Sequence, residues 1–320
     1  MPSIESSDVA YSFLDDEHST ALLVIADLMK YREACELWFA DGLSEANAMA
    51  RAAYEHFHTE SPPDDRESLL AGIPSATETI AELARQMAAA RTQNLIVDLR
   101  GNTGGSSVMR EILTYLVFGD RAMRTLDNGY DIVKLSQLLF DQYASYSLEE
   151  INTSGEVPLR STDYDFHHER IYRTPQSRTD SDNEFSLKSS PTFWEVYQTE
   201  EFHVPKWVPP HVLALSSPST FSSGFNVLTG LLAMGAEIVG TPSAQPGNSF
   251  GDVLQFKLDN TQLGVFVSYK QNITFPDNLE KGRCLRPDHP LTIEKFRALD
   301  GDRNAEVLLA LEILGAETGV

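Results

Sequence analysis

Two turns in this sequence place glycine or hydroxyl residues just before a helix, a combination suited to holding a negative oxygen atom. The first is Asp98-Leu-Arg-Gly-Asn-Thr-Gly-Gly105. Gly104 and Gly105 let the backbone approach a ligand closely, and the helix that follows offers unpaired N–H groups to an anion. No Lys-Ser/Thr pair follows these glycines and the GxGxxG spacing is absent, so the usual phosphate cradles do not fit. An oxyanion hole and a tight structural turn are the two readings left. The second turn is Ser216-Ser-Pro-Ser-Thr-Phe-Ser-Ser-Gly224. A serine held where a strand turns into a helix can aim its hydroxyl into a cleft, and the next N–H can stabilise an oxyanion. The same hydroxyl-rich segment also suits helix capping, with Ser219 or Thr220 as the cap.

Both turns need a strand before them and a helix after them, and the sequence supplies these. Short apolar runs alternate with longer amphipathic ones, the pattern of α/β architecture. Residues 21–26 (ALLVIA) and 94–99 (NLIVDL) read as strands buried on both faces. Residues 45–56 and 76–90 read as helices, the latter with apolar positions three and four apart. The glycine turn leads into a helix over 107–117. The same order recurs as strand 212–215, the hydroxyl turn, and helix 225–234. Extended runs at 237–239 and 264–268 and a helix at 305–314 complete the pattern. Between about 120 and 205 the text becomes polar, charged and aromatic, with one helix predicted over 131–144. That stretch is too long for an ordinary connection and reads as a lid, a binding insertion or a partly disordered loop.

The balance of 47 acidic against 25 basic residues, a net charge of −22, repels nucleic acid and anionic membranes. No stretch is long and apolar enough to span a bilayer. The first residues lack the basic start and apolar core of a signal peptide. The two cysteines, Cys35 and Cys284, form no metal-type pair or disulfide framework. A reducing, cytoplasmic setting is the expectation. His167 and His168 with Asp163 and Asp165 are the nearest thing to a metal cluster, and they read as a solvated loop. No metal and no cofactor are expected.

Taken together, LIVDLRGNTGG (95–105), STFSSGF (219–225) and AEIVGTPSAQPGN (236–248) resemble the carboxyl-terminal processing (tail-specific) proteases and tricorn-type peptidases. The resemblance continues through GDVLQFKLDNTQLGVFVSYK (251–270), where that family has a hairpin, to Arg286-Pro-Asp288. It implies a crotonase-like (Clp-protease-like) α/β fold with a ββα core: one domain over 1–320, a lid inserted at about 120–205, and no peptide-binding module upstream. It also implies Ser222 as nucleophile, with the backbone N–H groups of Gly104 or Gly105 and of Ser223 as oxyanion hole. The partner would be a peptide or small-molecule substrate. Relatives of this core often assemble, so a homo-oligomer fits the resemblance, and a partner subunit could supply a base.

A serine hydroxyl is a weak nucleophile until a base takes its proton. The tail-specific branch uses a lysine about 25 residues after the serine, and here GTPSAQPGNSFG (240–251) contains none. The tricorn branch uses an upstream histidine and a late glutamate. His18, in Asp15-Asp-Glu-His18, and Glu280, in Asn278-Leu-Glu-Lys-Gly282, are the local candidates. Acidic neighbours would raise the basicity of His18, although an acidic surface turn explains the same residues. Three functions follow: a serine hydrolase or acyl-transfer enzyme on peptide-like carbonyls, a non-proteolytic relative catalysing cyclisation or condensation in the oxyanion pocket, and a catalytically silent ligand-binding protein.

Overall fold

The structure is a computed structural model that describes residues 9–125, 129–142, 147–153, 158–166 and 188–315. Ten strands are formed among them: β1 (Val9–Phe13), β2 (Thr20–Ile25), β3 (Asn94–Asp98), β4 (Tyr130–Lys134), β5 (Tyr164–Asp165), β6 (His211–Ser216), β7 (Glu237–Gly240), β8 (Asn248–Lys257), β9 (Gly264–Ile273) and β10 (His289–Pro290). The chain divides into two compact units. The first holds 1–125, 182–245 and 286–320; the second holds 126–181 and 246–285.

The first unit is built on a six-stranded sheet in the order β1-β2-β3-β6-β7-β10. From β2 to β10 every neighbouring pair is parallel, and β1 closes the far side antiparallel. Register runs straight across, with Thr20 opposite Asn94 and Asn94 opposite His211. All five residues of β3 are buried, which is why Leu95, Ile96 and Val97 at its middle are apolar in succession rather than alternately. Leu22, Ile96, Leu213, Leu215 and Val239 pack with Val307 and Leu311 from the helix Ala305–Ile313 on one side of the sheet.

The helix Ala76–Ala90 starts at Ser75, whose hydroxyl accepts the Glu78 N–H, and buries Ala76, Ile80, Leu83 and Met87 at three- and four-residue intervals. Its N-terminus receives a second, buried cap. The Glu33 carboxylate accepts from Ser75 Oγ at 2.5 Å and from the N–H groups of Ala76 and Thr77 at 3.0 and 2.9 Å. One turn along the same helix (Arg32–Ala40), Glu36 accepts from Ser190 Oγ at 2.5 Å and Thr192 Oγ1 at 2.6 Å, where the helix Pro191–Gln198 begins. Each carboxylate meets the positive end of a helix.

The second unit is a four-stranded antiparallel sheet in the order β5-β4-β9-β8. Its core is Val133, Leu135, Leu139, Ile151, Leu254 and Tyr269. Lys270 is held between Asp131 at 3.2 Å and Asp252 at 2.9 Å. On β8 the side-chain amide of Gln142 donates to the carbonyl of Gln255 at 2.5 Å and accepts the Gln255 N–H at 3.1 Å. The helix expected over 131–144 is instead the strand β4 followed by the helix Gln137–Gln142. Ser136 Oγ accepts the Leu139 N–H at 3.1 Å and starts that helix late. Within 120–205 the described residues supply β4 and β5 to the second unit and the helix Pro191–Gln198 to the first.

Candidate active site

Because β2, β3 and β6 are parallel and in register, their exits all lie at one end of the sheet. This is where ligand sites form in open α/β sheets. The glycine turn leaves β3 there and the hydroxyl turn leaves β6.

The motif residues lock these turns to one another. Asn102 is fully buried; its Nδ2 donates to the carbonyl of Ile25 at 2.9 Å, and its Oδ1 accepts the Gly104 N–H at 3.0 Å. Its carbonyl accepts the Phe221 N–H at 2.9 Å. Thr220 Oγ1 donates to the Leu99 carbonyl at 2.8 Å and accepts the Ser217 N–H at 3.0 Å. Ser223 Oγ donates to the Gly105 carbonyl at 2.7 Å. Arg100 grips both oxygens of Asp98, at 2.9 and 2.7 Å, and reaches Glu306 at 2.8 Å. Burial works against its charge, but Asp98 and Glu306 outweigh that and raise its pKa above the ordinary arginine value. Asp98, Arg100 and Asn102 thus hold the turns in place. Asp288 belongs to the same framework, accepting the Ile238 N–H at 2.8 Å.

At the centre stands Ser222, exposed, immediately before the helix Ser223–Ala233. Its backbone has φ +52° and ψ −124°, a region that L-residues occupy only when the surrounding structure imposes it, at about 1–3 kcal/mol. The serine of a nucleophile elbow sits on a strained strand-to-helix turn of this kind. Gly104, at φ +104°, passes directly beneath: a Cβ there would lie 2.6 Å from Ser222 Cβ and 3.2 Å from Ser222 Oγ. At Gly105, φ +140°, a Cβ would come within 2.4 Å of the Leu28 carbonyl oxygen. Both positions therefore require glycine. The Ser222 N–H donates to Gln245 Oε1 at 2.6 Å. Gln245 is delivered by Ser243, whose hydroxyl donates to the Thr220 carbonyl at 2.5 Å and accepts the Gln245 N–H at 2.9 Å.

The expected residues divide accordingly. Ser222, Ser223, Gly104 and Gly105 come together. Of the expected donors, the Gly104 N–H is taken by Asn102. Those of Gly105 and Ser223 have no hydrogen-bond partner among the described residues, and Ser223 is the first residue of its helix, where N–H groups are left free. His18 is not brought to Ser222. It sits in the turn before β2, at the entry end of the parallel strands, stacked on Phe13 with ring centroids 4.1 Å apart. The length of β2, about 20 Å for six residues, separates the two ends. The neighbouring Asp15 accepts from the Ser19 and Thr20 N–H groups, so the acidic segment is a capped turn. Glu280 lies in the second unit, exposed on the short helix Leu279–Arg283, with Arg283 as its ion-pair partner at 3.4 Å. His167 and His168 lie outside the described residues, and Asp163 closes a turn by accepting the Arg160 N–H at 2.9 Å. Among the described residues no group of three or more His, Cys, Asp or Glu could hold a metal ion, and no helix is long and apolar enough to cross a membrane. Gln245, whose contact with Ser222 the structure adds, is a neutral amide 23 residues after the serine and carries no catalytic signal in a sequence.

No protein-family model and no curated protein matches this chain. Solved structures similar to it include a Bacteroides fragilis protein described as an S41 protease (11% identity, TM-score 0.41, 92% of this chain and 54% of that one). Mature CPAF complexed with lactacystin is another, at 14% identity and TM-score 0.45, covering 95% of this chain and 54% of that one. The photosystem II D1 C-terminal processing protease is a third, at 12% identity and TM-score 0.38, covering 98% and 53%. The chain thus spans about half the length of each of these proteins. At such identities and scores the likeness assigns no residue roles. What defines the site is its own geometry: an α/β protein with a serine forced into a strained turn at the exit of a parallel sheet.

Proposed function

We propose that this chain is a serine hydrolase or acyl-transfer protein acting on peptide or peptide-like carbonyls, built on the crotonase-like core of the tail-specific and tricorn-type proteases. The observation that carries this reading is the backbone of Ser222, at φ +52° and ψ −124° over Gly104. Such strain is kept where an exposed hydroxyl must face a substrate and the next N–H must face its oxygen. In the proposed reaction Ser222 Oγ bonds to the carbonyl carbon, its proton passing to solvent water. The Ser223 and Gly105 N–H groups are the proposed donors to the oxyanion. The bond to the leaving group then breaks as that group takes up a proton, and water hydrolyses the ester. Each oxyanion donor lowers the barrier by about 2.7–4 kcal/mol.

One observation favours a second reading, a ligand-binding protein without turnover. The group that meets Ser222 from the 241–245 segment is an amide, Gln245, and an amide cannot take a proton from a hydroxyl. Intact-mass analysis after fluorophosphonate treatment separates the two. A single adduct that disappears in Ser222→Ala supports the hydrolase. A folded wild type that acquires none sinks it and leaves the binding reading.

A further inference from the structure

We infer that Gln245 is a catalytic residue of this site, its side-chain amide acting as an oxyanion donor in place of the Gly104 N–H; this rests on the serine-hydrolase reading. Two observations lead to it. The Gly104 N–H, one of the donors expected from the glycine turn, is already spent on Asn102 Oδ1 at 3.0 Å inside a fully buried contact. It is not free to turn toward a substrate oxygen. Meanwhile the Ser222 N–H donates to Gln245 at 2.6 Å.

The second contact fixes which way round the amide sits. A backbone N–H needs an acceptor, so the oxygen of Gln245 must face Ser222, and the nitrogen takes the other branch of the planar group. Standard amide bond lengths put Nε2 about 2.3 Å from Oε1. Its hydrogens have no partner among the described residues. Two donors are thus held beside the serine whose oxygen would bond to the substrate. The anchoring has several parts: Ser243 accepts the Gln245 N–H and is itself bonded to the Thr220 carbonyl, and the Ala244 N–H donates to the Pro218 carbonyl at 3.2 Å. A side chain held at both its backbone and its carbonyl end loses little freedom when its nitrogen meets a developing charge, which is what an effective oxyanion donor requires.

The test is the rate of fluorophosphonate labelling at Ser222, read by intact mass, in wild type, Gln245→Glu and Gln245→Met. In that reaction the Ser222 Oγ–phosphorus bond forms, the P–F bond breaks, fluoride leaves and the hydroxyl proton goes to buffer. Gln245→Glu keeps an acceptor for the Ser222 N–H and removes the donor. Gln245→Met removes both and adds no charge. If the amide donates to the phosphoryl oxygen, both variants label about 100-fold more slowly, the loss typical of one oxyanion donor. Melting curves confirm that each variant is folded. Labelling of either variant within tenfold of wild type overturns the assignment. A Met variant that is slow beside a Glu variant that is normal would mark a clamp on the turn. The reverse would mark a charge effect. An unlabelled wild type removes the serine-hydrolase reading as well, so the two failures are distinguishable.

Discussion

Replacing Ser222 by glycine should make the protein more stable than replacing it by alanine. Both substitutions remove the hydroxyl, for which no hydrogen bond is formed among the described residues. They differ only in the Cβ, and the Cβ is what makes φ +52° with ψ −124° costly. That conformation costs about 1–3 kcal/mol for a residue with a side chain and little for glycine. Glycine gives back about 0.4–1 kcal/mol through the greater freedom of the unfolded chain. The net advantage of Ser222→Gly over Ser222→Ala is then about 0.5–2 kcal/mol. For a chain of 320 residues, with a melting entropy of about 2 cal/mol/K per residue, this is a rise in Tm of about 1–3 °C. Paired calorimetric scans of the two variants measure it. Should Ser222→Gly melt at or below Ser222→Ala, the turn is not strained, and the argument that strain marks a functional serine fails with it.

Two further outcomes follow from the surroundings of the site. Asn102→Ala leaves the Gly104 N–H and the Ile25 carbonyl without partners in a buried place; at about 1–3 kcal/mol for each, denaturant titration should show a loss of about 2–6 kcal/mol. Glu36 gives the pH dependence. Burial raises its pKa above the ordinary 4.5 although Ser190 and Thr192 donate to it. Its contribution to stability is therefore full at low pH and is lost as pH rises through the folded-state value. Glu36→Gln should flatten the decline in Tm as pH rises above about 4.5, and an unchanged decline would count against this assignment.

The parts of the fold legible in the sequence were those where burial dictates composition. ALLVIA, NLIVDL and VLAL are apolar on both faces because β2, β3 and β6 are covered on both faces, and each observed strand lies within a residue or two of its expected bounds. The helix Ala76–Ala90 carried its apolar stripe in plain view. Residues 131–144 were harder, because Ile132, Val133, Leu135 and Leu139 satisfy a helical stripe as well as a strand followed by a helix. Only the pairing of β4 with β9, a contact between distant parts of the chain, decides between them. His18 shows a different limit. Closeness to a strand in sequence does not say which end of a parallel sheet a residue will occupy, and chemistry at such a sheet gathers at the exit end. The burial of Glu33 and Glu36 was hidden for a related reason: each carboxylate is held by donors about 40 or more positions away.

The amide of Gln142 has a bearing on how the protein behaves in crowded solution. Among the described residues β8 is the outermost of its four strands, ten residues long, with Phe250 and Val253 exposed on it and Phe266 exposed on β9. An open edge of that length is a template on which a stray chain can add another strand and begin to aggregate. Gln142 occupies both the N–H and the carbonyl of Gln255, much as a neighbouring strand would. An intruding strand must displace two hydrogen bonds before it can pair through the middle of the edge, and one glutamine thereby acts as a gatekeeper.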